Sequence, residues 1–335
     1  MRHVALIYNP ESGQHSPRRK AVIEEALAVL RAAGVEAEAL ATNAPGSAGV
    51  LAAEAIEQGC DAIFACGGDG TVHEVLQSVV GTEVALGVVP LGTANALAAD
   101  LGLGVGPRAG LGSGLGSGIG NGGLTPAKAV RMLLEAEPTR VSVGRISYRE
   151  SAGGTAARYF TVTAGIGADA LLMSRMDARL KRKLGYILYL IEGLRVMILH
   201  SFPLFAAEIA EEHAGPSRTI NVSQLLSVRI RDFGGVLHHL APGASLRNGH
   251  LRLVGFKTRS RWHYFRFILA VLLGRQTFAR QIELTDAVSV DCQELPGSKT
   301  RIFVEADGEL LGELPAKIQI VPRALTLLIP AQAER

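Results

Sequence analysis

The chain has 335 residues, which at roughly 100–200 residues per domain suggests two domains. Hydrophobic residues make up 48% and charged residues 19%, so apolar material is ample and a wholly disordered chain is excluded. The 34 Lys+Arg against 31 Asp+Glu give a formal charge of +3, too balanced for bulk nucleic-acid binding. Cys60, Cys66 and Cys292 are too few and too scattered for a disulfide framework or a zinc site, and a reducing cytoplasm is the expected compartment.

Taken in chain order, Val4 to Tyr8 is a short apolar run stopped by Asn9-Pro10, which reads as a buried first strand and not as a signal peptide. Strand-like segments at 3–8, 35–40, 61–65 and 85–89 alternate with helix-like segments at 17–33, 48–58, 71–80 and from 95 to 101. That alternation predicts parallel βαβ units in a doubly wound α/β domain over residues 1–137. Gly102–Gly123 interrupts it with 11 glycines in 22 residues, including Leu-Gly-Ser-Gly-Leu-Gly-Ser-Gly, the composition of a mobile loop. Thr125-Pro126 then starts a helix as cap and first-turn proline, running to about Glu135.

After Pro138 the rhythm changes to short β-branched or alternating runs at 141–146, 158–163, 206–209, 224–230, 250–254, 287–291, 301–305 and 316–322. This is the pattern of a β-sandwich-like domain over 138–322, interrupted by helical inserts at 173–199 and 259–280; residues 323–335 form a C-terminal segment that returns to the first domain. The longest apolar stretches, Leu184–Leu199 and Phe267–Leu273, fall short of the ~20 residues a spanning helix needs.

The sharpest local signal is Gly67-Gly68-Asp69-Gly70-Thr71, set between a strand and a helix. Glycines let successive N–H groups point to one concave side, and the helix start adds partial positive charge, so a phosphate fits there. Asp69 in such a cradle suits a magnesium ion or a substrate hydroxyl; the bland alternative is a tight turn with an Asp cap. Asn9-Pro10-Glu11-Ser12-Gly13 and Pro90-Leu91-Gly92-Thr93-Ala94-Asn95 also follow strands. In a parallel sheet, loops at the carboxyl ends of strands line the ligand crevice, so three polar turns on one edge point to a nucleotide pocket. No Walker A sequence is present, and Gly118–Gly123, which formally fits G-x-G-x-x-G, follows no strand and does not support a nicotinamide dehydrogenase. In the second half Asp307 and Glu309 alternate, so both project to one side if their strand continues; otherwise they are solvated acids of a hairpin turn.

Asn9-Pro10-x-Ser12-Gly13, Gly67–Thr71, Pro90–Asn95 and Asp307-Gly308-Glu309, in this order, resemble the diacylglycerol kinase catalytic-domain family, whose members include bacterial diacylglycerol kinases, YegS-type lipid kinases and sphingosine kinases. Ala164-Gly165-Ile166-Gly167-Ala168-Asp169-Ala170 and Lys183-Leu184-Gly185-Tyr186 are similar to the family's second domain. Gly67–Thr71 alone is shared with NAD kinases; the combination is more specific.

The resemblance implies ATP-dependent phosphorylation of a lipid hydroxyl, with magnesium. ATP would lie against Asn9, Pro10, Ser12, Gly13, Thr42, Gly67, Gly68, Asp69, Gly70, Thr71, Glu74, Thr93 and Asn95. Glu309 would take the proton from the lipid, with Asp307 in support and Asp69 as the third catalytic residue. Asp69 stands 238 residues before Asp307, so this reading requires a cleft between the domains to join them. Magnesium would sit at Asp69, and an accessory ion at Asn248, where Arg247-Asn248-Gly249 replaces the family's Asp-Asp-Gly; likewise Asn95-Ala96-Leu97-Ala98 lacks the family's usual acid.

A lipid substrate implies peripheral contact with the inner membrane face. Two segments offer it: Arg179, Lys181, Arg182 and Lys183 before Tyr186–Leu190, and Arg259, Arg261 and Arg266 around Trp262, Tyr264, Phe265 and Phe267. A solvated helix face over a core is the competing reading of both. His238-His239 reads as a strand pair. A NAD-kinase-like phosphotransferase and a nucleotide- or lipid-binding pseudokinase are the alternative functions, and a homodimer is left open.

Overall fold

The computed structural model describes residues 1–12, 19–92, 95–103, 124–174, 195, 200–211, 216–231, 233, 240–272, 281–298 and 300–331. The chain divides into two compact units, one of residues 1–141, 232–235 and 323–335, the other of 142–231 and 236–322. No helix among the described residues is long and apolar enough to cross a membrane.

In the first unit, β1 (His3–Tyr8), β2 (Glu36–Ala41), β3 (Ala62–Gly67) and β4 (Ala85–Pro90) run parallel in the order β2-β1-β3-β4. β3 and β4 are buried along their whole length, as strands covered on both faces must be. The far end of β15 (Glu309–Ile329) completes the sheet beside β4, pairing Thr326 with Ala85 and Leu327 with Leu86. Arg140 locks that edge: its guanidinium donates to the Thr82 carbonyl, to Thr326 Oγ1 and to the Glu83 carboxylate.

The chain leaves β1 toward β2 and then returns to β3 on the other side of β1. With crossovers of the usual hand, this reversal puts the connecting helices on opposite faces. The helices pair accordingly: α1 (Arg19–Ala32) packs on α5 (Pro126–Leu134), and α2 (Ser47–Glu57) on α3 (Asp69–Val79). Thr125 caps α5 by accepting from Lys128 N, with Pro126 at the first position. A short α4 (Ala96–Asp100) follows β4. The reversal makes a topological switch point at β1 and β3, where ligands of open α/β sheets bind.

The second unit is entered along β5 (Glu137–Arg149) and left along β15. One layer runs β12 (Ile282–Ala287), β11 (Leu251–Phe256), β10 (Gln224–Val228), β7 (Thr163–Gly167), β14 (Phe303–Ala306) and the start of β15. The other contains β9 (Arg218–Val222), β8 (Phe205–Ala210), β13 (Ser289–Glu294), the middle of β15, β5 and β6 (Thr155–Phe160). β15 belongs to both: Glu309–Glu313 pairs with β14 and Ala316–Gln319 with β13, on either side of a cis Leu314–Pro315 bond. Strands that switch sheets make the corners of such sandwiches. Ile146, Phe160, Ile166, Phe205, Leu225, Val290, Val304 and Ile318 come from both layers and form one buried core. The fold is therefore α/β followed by a β-sandwich. Among the described residues, two helices decorate the second unit, α6 (Ala168–Ser174) and α7 (Arg261–Leu272), and most of the helical insert expected at 173–199 lies outside them.

Candidate functional site

The turns after β3 and β4 form one block. The Gly67 carbonyl accepts from Leu91 N at 2.8 Å and Gly92 N at 3.1 Å. A Cβ on Gly92 would lie 2.5 Å from Gly68 Cα, so the two backbones touch where only glycine fits. α3 starts here with Gly68 as an extended cap that supplies no side chain. Its first-turn N–H groups have no acceptor inside the helix and carry the positive end of the helix dipole, the arrangement that binds phosphate oxygens.

Asp69 Oδ1 accepts from Ala96 N at 2.8 Å, tying the start of α3 to that of α4. Asn95, buried and left-handed (φ 52°), closes the β4 turn on itself: its Nδ2 donates to the Gly92 carbonyl at 2.7 Å and its Oδ1 accepts from Gly92 N at 3.1 Å. Glu74 accepts from Gly46 N at 2.8 Å and Ala48 N at 3.0 Å, holding the start of α2. The side chains of Asn95 and Glu74 thus serve the scaffold of the block, a role the motif reading did not give them.

The β1 turn is built the same way. Asn9 Oδ1 accepts from Glu11 N at 2.8 Å, and Ser12 N and Oγ both donate to the Asn9 carbonyl, with Pro10 between them. Asn9 N reaches across to the Cys66 carbonyl at 3.3 Å, and Thr42, following β2, donates to the Tyr8 carbonyl at 2.9 Å. Arg19, which sequence reasoning missed, is buried at the start of α1 and donates to the Ser12 carbonyl; burial lowers its pKa. No motif flags it, because it stands outside Asn9–Gly13 and looks like any helix-surface cation.

In the second unit the strand does not continue through Asp307. β14 ends at Ala306, Asp307 and Gly308 both take positive φ (49° and 83°), and Ala306 pairs with Glu309 across a two-residue hairpin. Asp307 is half-buried there and its carboxylate is held by backbone amides: Oδ1 accepts from Val162 N at 2.9 Å and Thr163 N at 3.0 Å, and Oδ2 from Thr161 N at 3.1 Å. Glu309 is exposed at the head of β15.

Beside this hairpin lies a carboxylate pair. A Cβ on Gly165 would fall 1.8 Å from Asp169 Oδ2 and 2.7 Å from Glu305 Oε1, so the two oxygens stand within about 4.5 Å of each other across a position that only glycine leaves open. Glu305 Oε2 accepts from Gly308 N at 2.9 Å, whereas Asp169 Oδ1 is sealed from solvent and has no hydrogen-bond partner among the described residues. Burial drives Asp169 up to about 7, and burial with repulsion from Asp169 drives Glu305 well above the carboxylate range. Both shifts favour the protonated form, so the pair holds a proton more readily than two separate carboxylates would. The alternation of Glu305, Asp307 and Glu309 was the available signal for Glu305; Asp169 sits in the quoted second-domain segment, but nothing in the sequence brings the two together.

A magnesium ion bound with a triphosphate takes one or two carboxylates and otherwise phosphate and water, and Asp69 at the mouth of the glycine turn fits that donor set. The accessory ion at Asn248 does not fit. The carbonyls of Ser142, Leu246, Asn248 and His250 all accept from the buried guanidinium of Arg229, and Asn248 Nδ2 donates to the Gly243 carbonyl at 2.8 Å. Burial lowers Arg229 to about 10, so it stays charged and repels a second cation. Among the described residues, the three-residue metal-type group is His3, Glu38 and Cys60, toward the amino ends of β1 and β3 and away from the turns. Gly13, Thr93, the loop 104–123, His238-His239 and the basic cluster 179–183 lie outside the described residues.

Residues 3–146 match the family model for the diacylglycerol kinase catalytic domain, and residues 161–329 the YegS C-terminal NAD kinase beta sandwich-like domain. The chain is 26% identical to a Bacillus subtilis diacylglycerol kinase, covering 99% of this chain and 98% of the relative, and 27% identical to one from Mycobacterium tuberculosis, covering 98% and 95%. A crystal structure of a Bacillus anthracis diacylglycerol kinase superposes with a TM-score of 0.65 over 99% of this chain and 98% of that one, at 19% identity, which speaks to the fold. The family model and the relatives support a kinase at the level of the family. The chain belongs to the diacylglycerol kinase family, with a YegS-type second domain.

Proposed function

We propose that the protein is an ATP-dependent lipid kinase that transfers the γ-phosphoryl group to the hydroxyl of a diacylglycerol or sphingoid-type lipid. The observation that carries this reading is the block of touching glycine turns after β3 and β4, next to the switch point of the parallel sheet. In the first unit the start of α3, with Gly67–Thr71, holds phosphate oxygens, Arg19 adds buried positive charge, and the turn Asn9–Gly13 with Thr42 and Thr93 lines the nucleotide. Magnesium, held by Asp69, would neutralise charge on the phosphates.

From the second unit, Glu309 takes the lipid hydroxyl proton as the new oxygen–phosphorus bond forms. The bond from the γ-phosphorus to the bridging oxygen breaks, and ADP leaves with that electron pair. A positioned base of this kind contributes about 10²–10⁴-fold. Asp307 acts as a positioning residue, fixing the hairpin that presents Glu309. The turnover test is transfer from labelled ATP to diacylglycerol, sphingoid base, ceramide and monoacylglycerol, with NAD as a soluble acceptor. Label in at least one lipid and none in NAD supports the reading; label in NAD alone overturns it.

A further inference from the structure

α7 carries two apolar faces, and among the described residues only one is covered. Tyr264, Phe267 and Val271 are buried. Tyr264 stacks on Phe256 at 4.5 Å and lies 4.3 Å from Phe202, its hydroxyl is 2.8 Å from Ser223 Oγ, and Phe267 meets Phe256 edge-on. This face fastens the helix to the second unit. At 100° per residue Trp262, Phe265 and Leu269 point the other way. There Trp262 is 62% exposed, Phe265 48%, and Ile268 and Leu269 43% each, with the Trp262 ring lying over Phe265 at 5.6 Å. An exposed apolar set on one fixed helix needs an occupant.

Charge decides which. Arg259, Arg261 and Arg266 are exposed around this face, and no Asp or Glu occurs between Lys257 and Gln281. A second copy of the chain would set the same acid-free cationic patch against itself across a two-fold axis, which repels. An anionic bilayer accepts both parts: rings and Leu269 enter at headgroup depth while arginines meet lipid phosphates. We infer that α7 is the membrane-docking helix, inserting Trp262, Phe265, Ile268 and Leu269 into an anionic lipid surface under the grip of Arg259, Arg261 and Arg266. The inference deepens the lipid-kinase reading by stating how the enzyme meets a substrate that resides in a bilayer, and it is testable without turnover.

The chain has a single tryptophan, so Trp262 reports its own environment. The full chain is titrated with phosphatidylcholine vesicles with and without phosphatidylglycerol, following Trp262 emission and vesicle flotation. The expected result is flotation and a blue shift with the anionic vesicles only. In Arg259→Gln/Arg261→Gln/Arg266→Gln, partitioning at low salt falls on the order of a hundredfold, at about fivefold per arginine. In Phe265→Ser/Leu269→Ser flotation is lost, while both variants keep phosphoryl transfer to a dispersed short-chain lipid. Flotation equal to wild type in either variant, an unshifted Trp262 in floating protein, or a dimer that dissociates in the serine variant would overturn the inference. Vesicle binding as described together with no lipid phosphorylation would instead refute the kinase reading and leave α7 standing.

Discussion

Three backbone amides converge on the carboxylate of Asp307, and its neighbour Glu309 stands exposed two residues away. The two acids of one motif therefore respond differently to removal. Asp307→Ala strands the N–H groups of Thr161, Val162 and Thr163 and is expected to cost about 2–4 kcal/mol in denaturant unfolding, whereas Glu309→Gln leaves the midpoint unchanged. The motif pattern singles out both acids but not this division, because the hairpin that separates them depends on positive φ at Asp307.

Asp169 and Glu305 add a pH dependence. Their pKa values are raised in the folded state, so the stabilising contribution is full below pH 4 and is lost as pH rises through about 7, where Asp169 titrates. Unfolding free energy is expected to fall on the order of 2–4 kcal/mol between pH 4 and 8. Glu305→Gln should shrink that fall, which chemical denaturation across the pH range measures. An unchanged profile would show that the pair does not hold a proton more readily than separate carboxylates.

At the level of elements, the parallel sheet was legible because its signals are local: an apolar run, a glycine turn, a capped helix. β1, β2, β3 and β4 all lie within two residues of the segments read from pattern alone. The sandwich was less legible. β7 (Thr163–Gly167) hides in a glycine-rich run, β9 (Arg218–Val222) is polar and half exposed, and one alternating stretch proves to be two strands, β12 and β13, on different layers. Long-range partners decide such elements. The glycine-turn block makes its own prediction. Gly92→Ala forces the Gly68 backbone aside and is expected to lower kcat/KM for ATP on the order of 10²-fold, with lipid KM unchanged. Full activity in that variant would mean that the contact of the two turns is incidental.

For the whole molecule, two units of different architecture divide the proposed work, with nucleotide phosphates held by the first and the acceptor hydroxyl deprotonated by the second. The membership of the chain in the diacylglycerol kinase family was readable from the order of four short motifs, whereas the carboxylate pair, Arg19 and the buried guanidinium of Arg229 beside Asn248 needed coordinates. Charge and scaffold roles at Asp69 can be separated with Asp69→Asn, which keeps an oxygen for Ala96 N and removes the negative charge. In the proposed reaction, phosphate transfer from ATP to a lipid hydroxyl requires both Asp69 and Glu309. The most direct measurement is single-turnover transfer of labelled γ-phosphate into extracted lipid by wild type, Asp69→Asn and Glu309→Gln at matched thermal stability. Rapid label is expected in wild type and a loss of about 10²–10⁴-fold in Glu309→Gln, with a comparable loss in Asp69→Asn. Wild-type rates in either variant would contradict it.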